Sequence, residues 1–274
     1  MKKIICFICS CLLLTSSALA TDILGASNIL LRSATAQGYR CAELSLGSFA
    51  ADALREAYGS DFAIWCVGEL KQNLLPGDIT YKTLEQCIRY DRETIAVQVT
   101  AVQLKALLEE LFSHLVLNEK EQIDLAQSDF DGYPEISGFQ VRCDVSESTG
   151  SRILSIYLED GQELDLNDSS VLYSLSGSVE LLSGIYGSAD LTSLMWKSLP
   201  KTQQEIVADY ISSTGTISSE PSTGRISIIG AREHNLLGDI PPVFIVGVVV
   251  MISICFVPKL RFIFKCIKQP GRWR

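Results

Sequence analysis

The chain is 274 residues long and carries 32 acidic against 23 basic side chains, with two histidines and nine cysteines. Its net charge of −9 argues against a nucleic-acid partner, because lysine and arginine carry the affinity for a phosphate backbone. Two histidines likewise argue against a hydrolytic metal centre, which needs several His, Asp or Glu ligands converging on one point.

Lys2 and Lys3 open the chain, an apolar run follows from Ile4 to Leu14, and Ala18-Leu19-Ala20 closes it. That order of charge, hydrophobe and small residues predicts a secretory signal over residues 1–20. The first helix is predicted from Glu43 to Tyr58, where Phe49, Ala50, Ala53, Leu54 and Ala57 recur at helical spacing. Strand signals follow at Phe62 to Val67 and Thr94 to Val99. A second helix begins at Thr100, which has capping-box spacing to Gln103, and Leu104, Leu107, Leu108, Leu111 and Leu115 form one apolar stripe along it. Three further strands are predicted at Phe139 to Cys143, Ile153 to Leu158 and Val171 to Leu175, with a turn at Asp160-Gly161. Helix and strand alternate, so the fold class is α/β (α+β), a layered sandwich in one domain. No linker composition appears before the Ser/Thr/Gly/Pro-rich stretch from Ser212 to Gly224.

Ile240 to Val257 carries no charge and is followed by Lys259, Arg261, Lys265, Lys268, Arg272 and Arg274 with no acid among them. This predicts a C-terminal transmembrane helix at 240–257, joined to the domain by a juxtamembrane linker at 230–239 and followed by a basic cytoplasmic tail at 258–274. The chain is then a single-pass protein of the cell membrane with its acidic part outside. That part keeps 15 basic against 32 acidic side chains, a net charge of −17, which reads as a solvated surface. Cys41, Cys66, Cys87 and Cys143 fall outside the membrane, where two disulfides in any of three pairings are open. Free burial is equally open for Cys66 and Cys143, which sit in apolar strand-like runs.

No complete catalytic set is visible. His114 is read as a surface residue on the polar side of the leucine-striped helix and His234 as juxtamembrane. Ser45, Ser137 and Ser176 have no histidine partner in the sequence, and neither GxSxG nor a P-loop spacing occurs. Asp129 and Asp131, beside Gly132, are read as turn chemistry rather than a catalytic dyad. No catalytic residue, metal or cofactor is therefore assigned.

Several stretches in order resemble the C-terminal domain of the 5'-nucleotidase and UDP-sugar hydrolase family. They are ELSLGSFAADALREAYGSDFAI from Glu43, LLPGDITYKTLEQC from Leu74, VTAVQLKALLEELF from Val99, YPEISGFQVRCD from Tyr133, and a late YIS with GRI ending at Ile226. The resemblance covers residues 28–229. Proteins of that family pair a metallophosphatase domain with a C-terminal domain that holds the nucleotide base between two aromatic rings. The resemblance implies that only the second part is present here. It also implies substrate contacts at Arg40, Lys71 and Tyr90, a cation, a second cation and a stacking ring.

Other positions depart from the family pattern. Its Asn-Gly-Gly-Gly-Ile-Arg loop reads here as Cys66, Val67, Gly68, Glu69, Leu70 and Lys71, and its second ring falls on Ser188, so Tyr186 is the substitute candidate. The resemblance thus implies a membrane-anchored recognition domain, non-catalytic alone, with a degenerate cleft for a nucleotide or nucleoside. A metallophosphatase or other surface protein is a possible partner in nucleotide catabolism. The alternative is a surface interaction or structural ectodomain that no longer binds nucleotides.

Overall fold

The computed structural model describes residues 22–232; the expected signal segment, His234, most of the expected linker, the apolar stretch at 240–257 and the basic stretch after it lie outside the described residues. No helix among the described residues is long and apolar enough to cross a membrane. In chain order the first elements are β1 (Ile23–Ser27), α1 (Ser45–Tyr58), β2 (Phe62–Cys66), β3 (Gly77–Thr80), α2 (Tyr81–Cys87), β4 (Glu93–Val99) and α3 (Ala101–Ser113). There follow β5 (Pro134–Ser137), β6 (Phe139–Asp144), β7 (Ile153–Leu158), β8 (Tyr173–Ser178), α4 (Val179–Leu182), β9 (Met195–Thr202), α5 (Gln203–Thr214), β10 (Thr216–Ile217) and β11 (Ile226–Ile229).

Local chemistry explains most boundaries. Helix α3 starts at the predicted box, with the Gln103 N–H donating to Thr100 Oγ1 at 3.3 Å and the Thr100 N–H to Gln103 Oε1 at 2.9 Å. Thr80 with Thr83 and Thr202 with Glu205 repeat the device at α2 and α5. Helix α1 ends at Gly59, whose φ of 60° lets its N–H reach the carbonyls of Arg55 and Glu56. Strand β8 runs two to three residues later than its apolar signal. Val171 and Leu172 are exposed, whereas Ser176 is buried in the strand, sharing a 2.9 Å hydrogen bond with Ser60 Oγ.

A mixed five-stranded sheet in the order β5-β2-β8-β4-β9 forms the middle layer, and two three-stranded sheets, β10-β1-β3 and β11-β6-β7, complete the β structure. Strand β2 runs parallel to β8, and β4 runs antiparallel to both β8 and β9. Period-two alternation sends one set of side chains to each face. Phe62, Ile64, Cys66, Ile95, Val97 and Val99 join α3 and the β6–β7 ladder in one core. Ala63, Trp65 and Ala96 join α1, α5 and β1 in the other. Both faces of the central sheet are covered, as the layered prediction requires.

Cys41, Cys66, Cys87 and Cys143 are free and buried, so no disulfide joins them. Burial in these apolar layers pushes the thiols of Cys41 and Cys87 up to about 11 and that of Cys143 up to about 12. His114 differs from its surface reading. It is the C-cap residue of α3 and its ring stacks on Phe130 with centroids 3.6 Å apart.

Candidate functional site

Strand β2 leaves the core through a single 3₁₀ turn, Val67–Glu69, that replaces the glycine-rich loop of the resembled family. Gly68 is required there, since a Cβ would stand 2.4 Å from that of Asp131, and its N–H donates to the Asp131 carbonyl at 2.8 Å. The turn carries Glu69 inward, where it is 1 % exposed. Gln203, the first residue of α5, donates from Nε2 to Glu69 Oε2 at 2.7 Å. Glu69 Oε1 lies 3.6 Å from Arg92 Nε, and Arg92 Nη1 lies 2.9 Å from Glu180 Oε1. Burial pushes the Glu69 carboxyl above its ordinary range, while Gln203, Ser178 and Arg92 hold it back. Burial works against the charge on Arg92, but Glu69 and Glu180 outweigh it and raise the guanidinium.

Tyr90 stands between Arg89 and Arg92 in sequence. Its ring is 44 % exposed, with the Arg92 guanidinium 4.7 Å and that of Arg89 5.5 Å from its centroid. A pocket of about 610 Å³ opens there, lined by Arg89, Tyr90, Asp91, Arg92, Glu93, Val179 and Glu180.

Arg40 reaches this region through the acidic loop. Its Nη1 lies 2.8 Å from Asp131 Oδ1, its backbone N–H donates to Asp129 Oδ1 at 2.8 Å, and Asp131 Oδ2 stands 3.7 Å from Arg89 Nη1. Asp129 and Asp131 thus act as anchors for two arginines. Tyr186 packs edge-on against Phe130 at 5.7 Å, and burial raises its phenol, reinforced by Cys66, Glu69 and Asp131.

Of the four residues expected from the resemblance, Arg40 is joined to Arg89 by ion pairs through Asp131, Tyr90 lies with its ring against Arg89 and Arg92, and Tyr186 adjoins the Glu69–Arg92 pair. Lys71 stays apart: it is exposed, its N–H donates to the Cys87 carbonyl at 2.7 Å, and its ammonium is unpaired among the described residues. Tyr186 makes no ring contact with Tyr90 among the described residues, and Ser188 has an enclosed hydroxyl without a partner.

Arg92, Glu180 and Gln203 were not singled out from sequence. The run Arg89-Tyr90-Asp91-Arg92-Glu93 carries a charge signal that marks the first; the other two arrive from distant elements. Ser45, Ser137 and Ser176 are held in structural hydrogen bonds to Arg32, Asp52 and the Phe62 carbonyl respectively. Among the described residues no group of three or more His, Cys, Asp or Glu is placed to hold a metal ion.

The covered mixed sheet and the polar pocket at the end of β4 define a layered α/β domain whose polar chemistry collects at one sheet end. Residues 20–174 match the family model "5'-nucleotidase, C-terminal domain", and the chain belongs to that family. Comparison of the sequence with curated proteins finds no match.

Among solved structures, a 5'-nucleotidase precursor from Thermus thermophilus is 16% identical with a TM-score of 0.62, over 84% of this chain and 43% of that one. The Haemophilus influenzae NAD nucleotidase gives 14% and 0.62, over 77% of this chain and 38% of that one. Sulfate thiohydrolase SoxB from Thermus thermophilus, solved with glycerol, gives 19% and 0.55, over 78% and 36%. The chain spans less than half the length of each, and at these identities the likeness is one of fold.

Proposed function

We propose that this chain is a recognition domain for a nucleoside or nucleotide, with no hydrolytic activity of its own, which acts beside a separate catalytic protein. The observation that supports the reading best is Tyr90, a half-exposed ring at the mouth of an open pocket and linked through Arg89 and Asp131 to Arg40. A single stacking ring contributes about 1–3 kcal/mol, and with partly screened charge contacts added the dissociation constant is expected on the order of millimolar. The test is titration of the purified full-length chain with adenosine and AMP, followed by phosphate release from AMP with added divalent metal. Binding that is lost in Tyr90→Ala, without phosphate release, is the expected result; metal-dependent turnover intrinsic to the chain refutes the non-catalytic reading.

A second reading, a structural or interaction ectodomain, draws on the pairing of Arg40, Arg89 and Arg92 with the protein's own carboxylates. Absence of binding by a folded protein selects it.

A further inference from the structure

We infer that the Tyr90 pocket takes an uncharged nucleoside or free base in preference to a phosphorylated nucleotide; the inference rests on the recognition reading above. Its first support is the charge of the wall. Arg89 and Arg92 line the pocket together with Asp91, Glu93 and Glu180, two cations against three carboxylates. Behind the wall, Arg40 is matched by Asp129 and Asp131, and Arg92 by the buried Glu69. If Glu69 holds a proton the wall is unchanged, because Glu69 is not part of it. A phosphate arriving here meets guanidiniums already engaged and carboxylates that repel it. At contact distances inside a pocket, bulk salt screens this repulsion incompletely.

The second support is a polar atom left without a partner beside Arg92. Among the described residues, Glu69 Oε1 and Arg92 Nε face each other at 3.6 Å, and the enclosed acceptor that belongs to the pocket wall and has no hydrogen-bond donor is Glu180 Oε2. An unpartnered acceptor on the wall matches a ligand that brings N–H or O–H groups. Exocyclic amines and ribose hydroxyls supply those groups, whereas a phosphate dianion supplies acceptors only. Tyr90 adds a ring face suited to a heterocycle and indifferent to the sugar's 5' substituent.

The experiment is a calorimetric or NMR titration of the full-length chain, at low ionic strength, with adenosine and cytidine and with their 5'-monophosphates. Adenosine or cytidine is expected to bind at least about tenfold more tightly than its monophosphate. Neutralising two exposed wall carboxylates in Asp91→Asn/Glu93→Gln is expected to narrow the gap to about threefold or less. Equal or tighter binding of the monophosphates overturns the inference while leaving the recognition reading intact. A nucleoside preference unchanged in the double variant overturns the charge argument and the inference with it. No binding of any of the four compounds to folded protein overturns the recognition reading itself.

Discussion

Glu135 shows how one side chain organises a helix start. It enters from β5 with 0 % exposure and accepts from the Leu44 N–H at 2.6 Å and from Ser48 Oγ at 3.0 Å, supplying the cap that Leu44 lacks at the start of α1. Gly47 makes the approach possible, since a Cβ there would meet Glu135 Cγ at 2.3 Å. Burial lifts the Glu135 carboxyl well above its ordinary 4.5. The folded state therefore keeps a proton that the unfolded chain releases, and stability falls as pH rises from the unfolded value to the folded one. Glu135→Gln keeps an acceptor for Leu44 and removes this titration. Its stability relative to the parent is expected to rise as the pH is raised above the unfolded carboxyl's range, as read by urea unfolding at each pH; a constant difference refutes the assignment. Glu135→Ala leaves two buried donors unpaired and is expected to cost about 2–3 kcal/mol. Such residues are illegible from pattern alone: Glu135 in YPEISGF looks like a solvent-facing strand residue, and only the packing of β5 against α1 encloses it. Arg40 and Tyr90 were singled out only because the resemblance supplied positions for them. Arg92 and Glu180 were not, because their meaning comes from the meeting of β4 with α4.

At the scale of elements, α3 and β7 are joined by a reciprocal clasp. Glu109, 7 % exposed on α3, accepts the backbone N–H groups of Arg152 and Ile153, each at 2.9 Å, where β7 begins. Arg152 in turn donates from Nη1 to the carbonyls of Phe112, Ser113 and Leu115 at 2.8, 3.1 and 2.9 Å, capping the C-terminal end of α3. The Phe112 carbonyl also accepts the Leu115 N–H at 3.2 Å, and the cation adds to this while meeting the negative end of the helix dipole. Arg152→Ala is expected to lower stability by about 2 kcal/mol without a change in the denaturant slope, with faster amide exchange confined to the last turn of α3. A loss spread evenly over both cores would show that the clasp is not local. Elements with self-contained signals were legible: the capping box and leucine stripe gave α3, and short apolar or alternating runs gave β2, β4, β6 and β7 to within a residue. Strands β1, β3, β5 and β9 escaped notice because they are short or polar, and tertiary pairing defines them. In β9 the exposed Met195 and Trp196 give way to Lys197, Pro200 and Lys201, residues that discourage further pairing at a sheet edge.

For the molecule as a whole, the central sheet couples two cores that share no faces. Alternate residues of β2 point to opposite sides, Ile64 into the core with α3 and Trp65 into the core with α1 and α5, and β4 divides in the same way at Val97 and Ala96. Neither side can melt and leave the other intact, because loss of one layer exposes the back of the strands that carry the other. This coupling explains why the layered fold was legible while its topology was not: alternation and helix stripes report which faces are buried, whereas strand order depends on which edges meet. It also gives a direct test. Trp65 is fully buried in the α1–α5 core and serves as a fluorescence reporter there, while Leu108, also fully buried, belongs to the opposite core on α3. Leu108→Ala removes apolar contacts and leaves a cavity, which costs about 2–5 kcal/mol. If the sheet transmits that loss, the buried Trp65 signal must shift to lower urea by the corresponding amount, in a single transition that coincides with far-UV circular dichroism. A tryptophan transition that stays at the parent midpoint while the helical signal splits into two steps would mean that the cores unfold independently, and the central sheet would then be a partition between two domains.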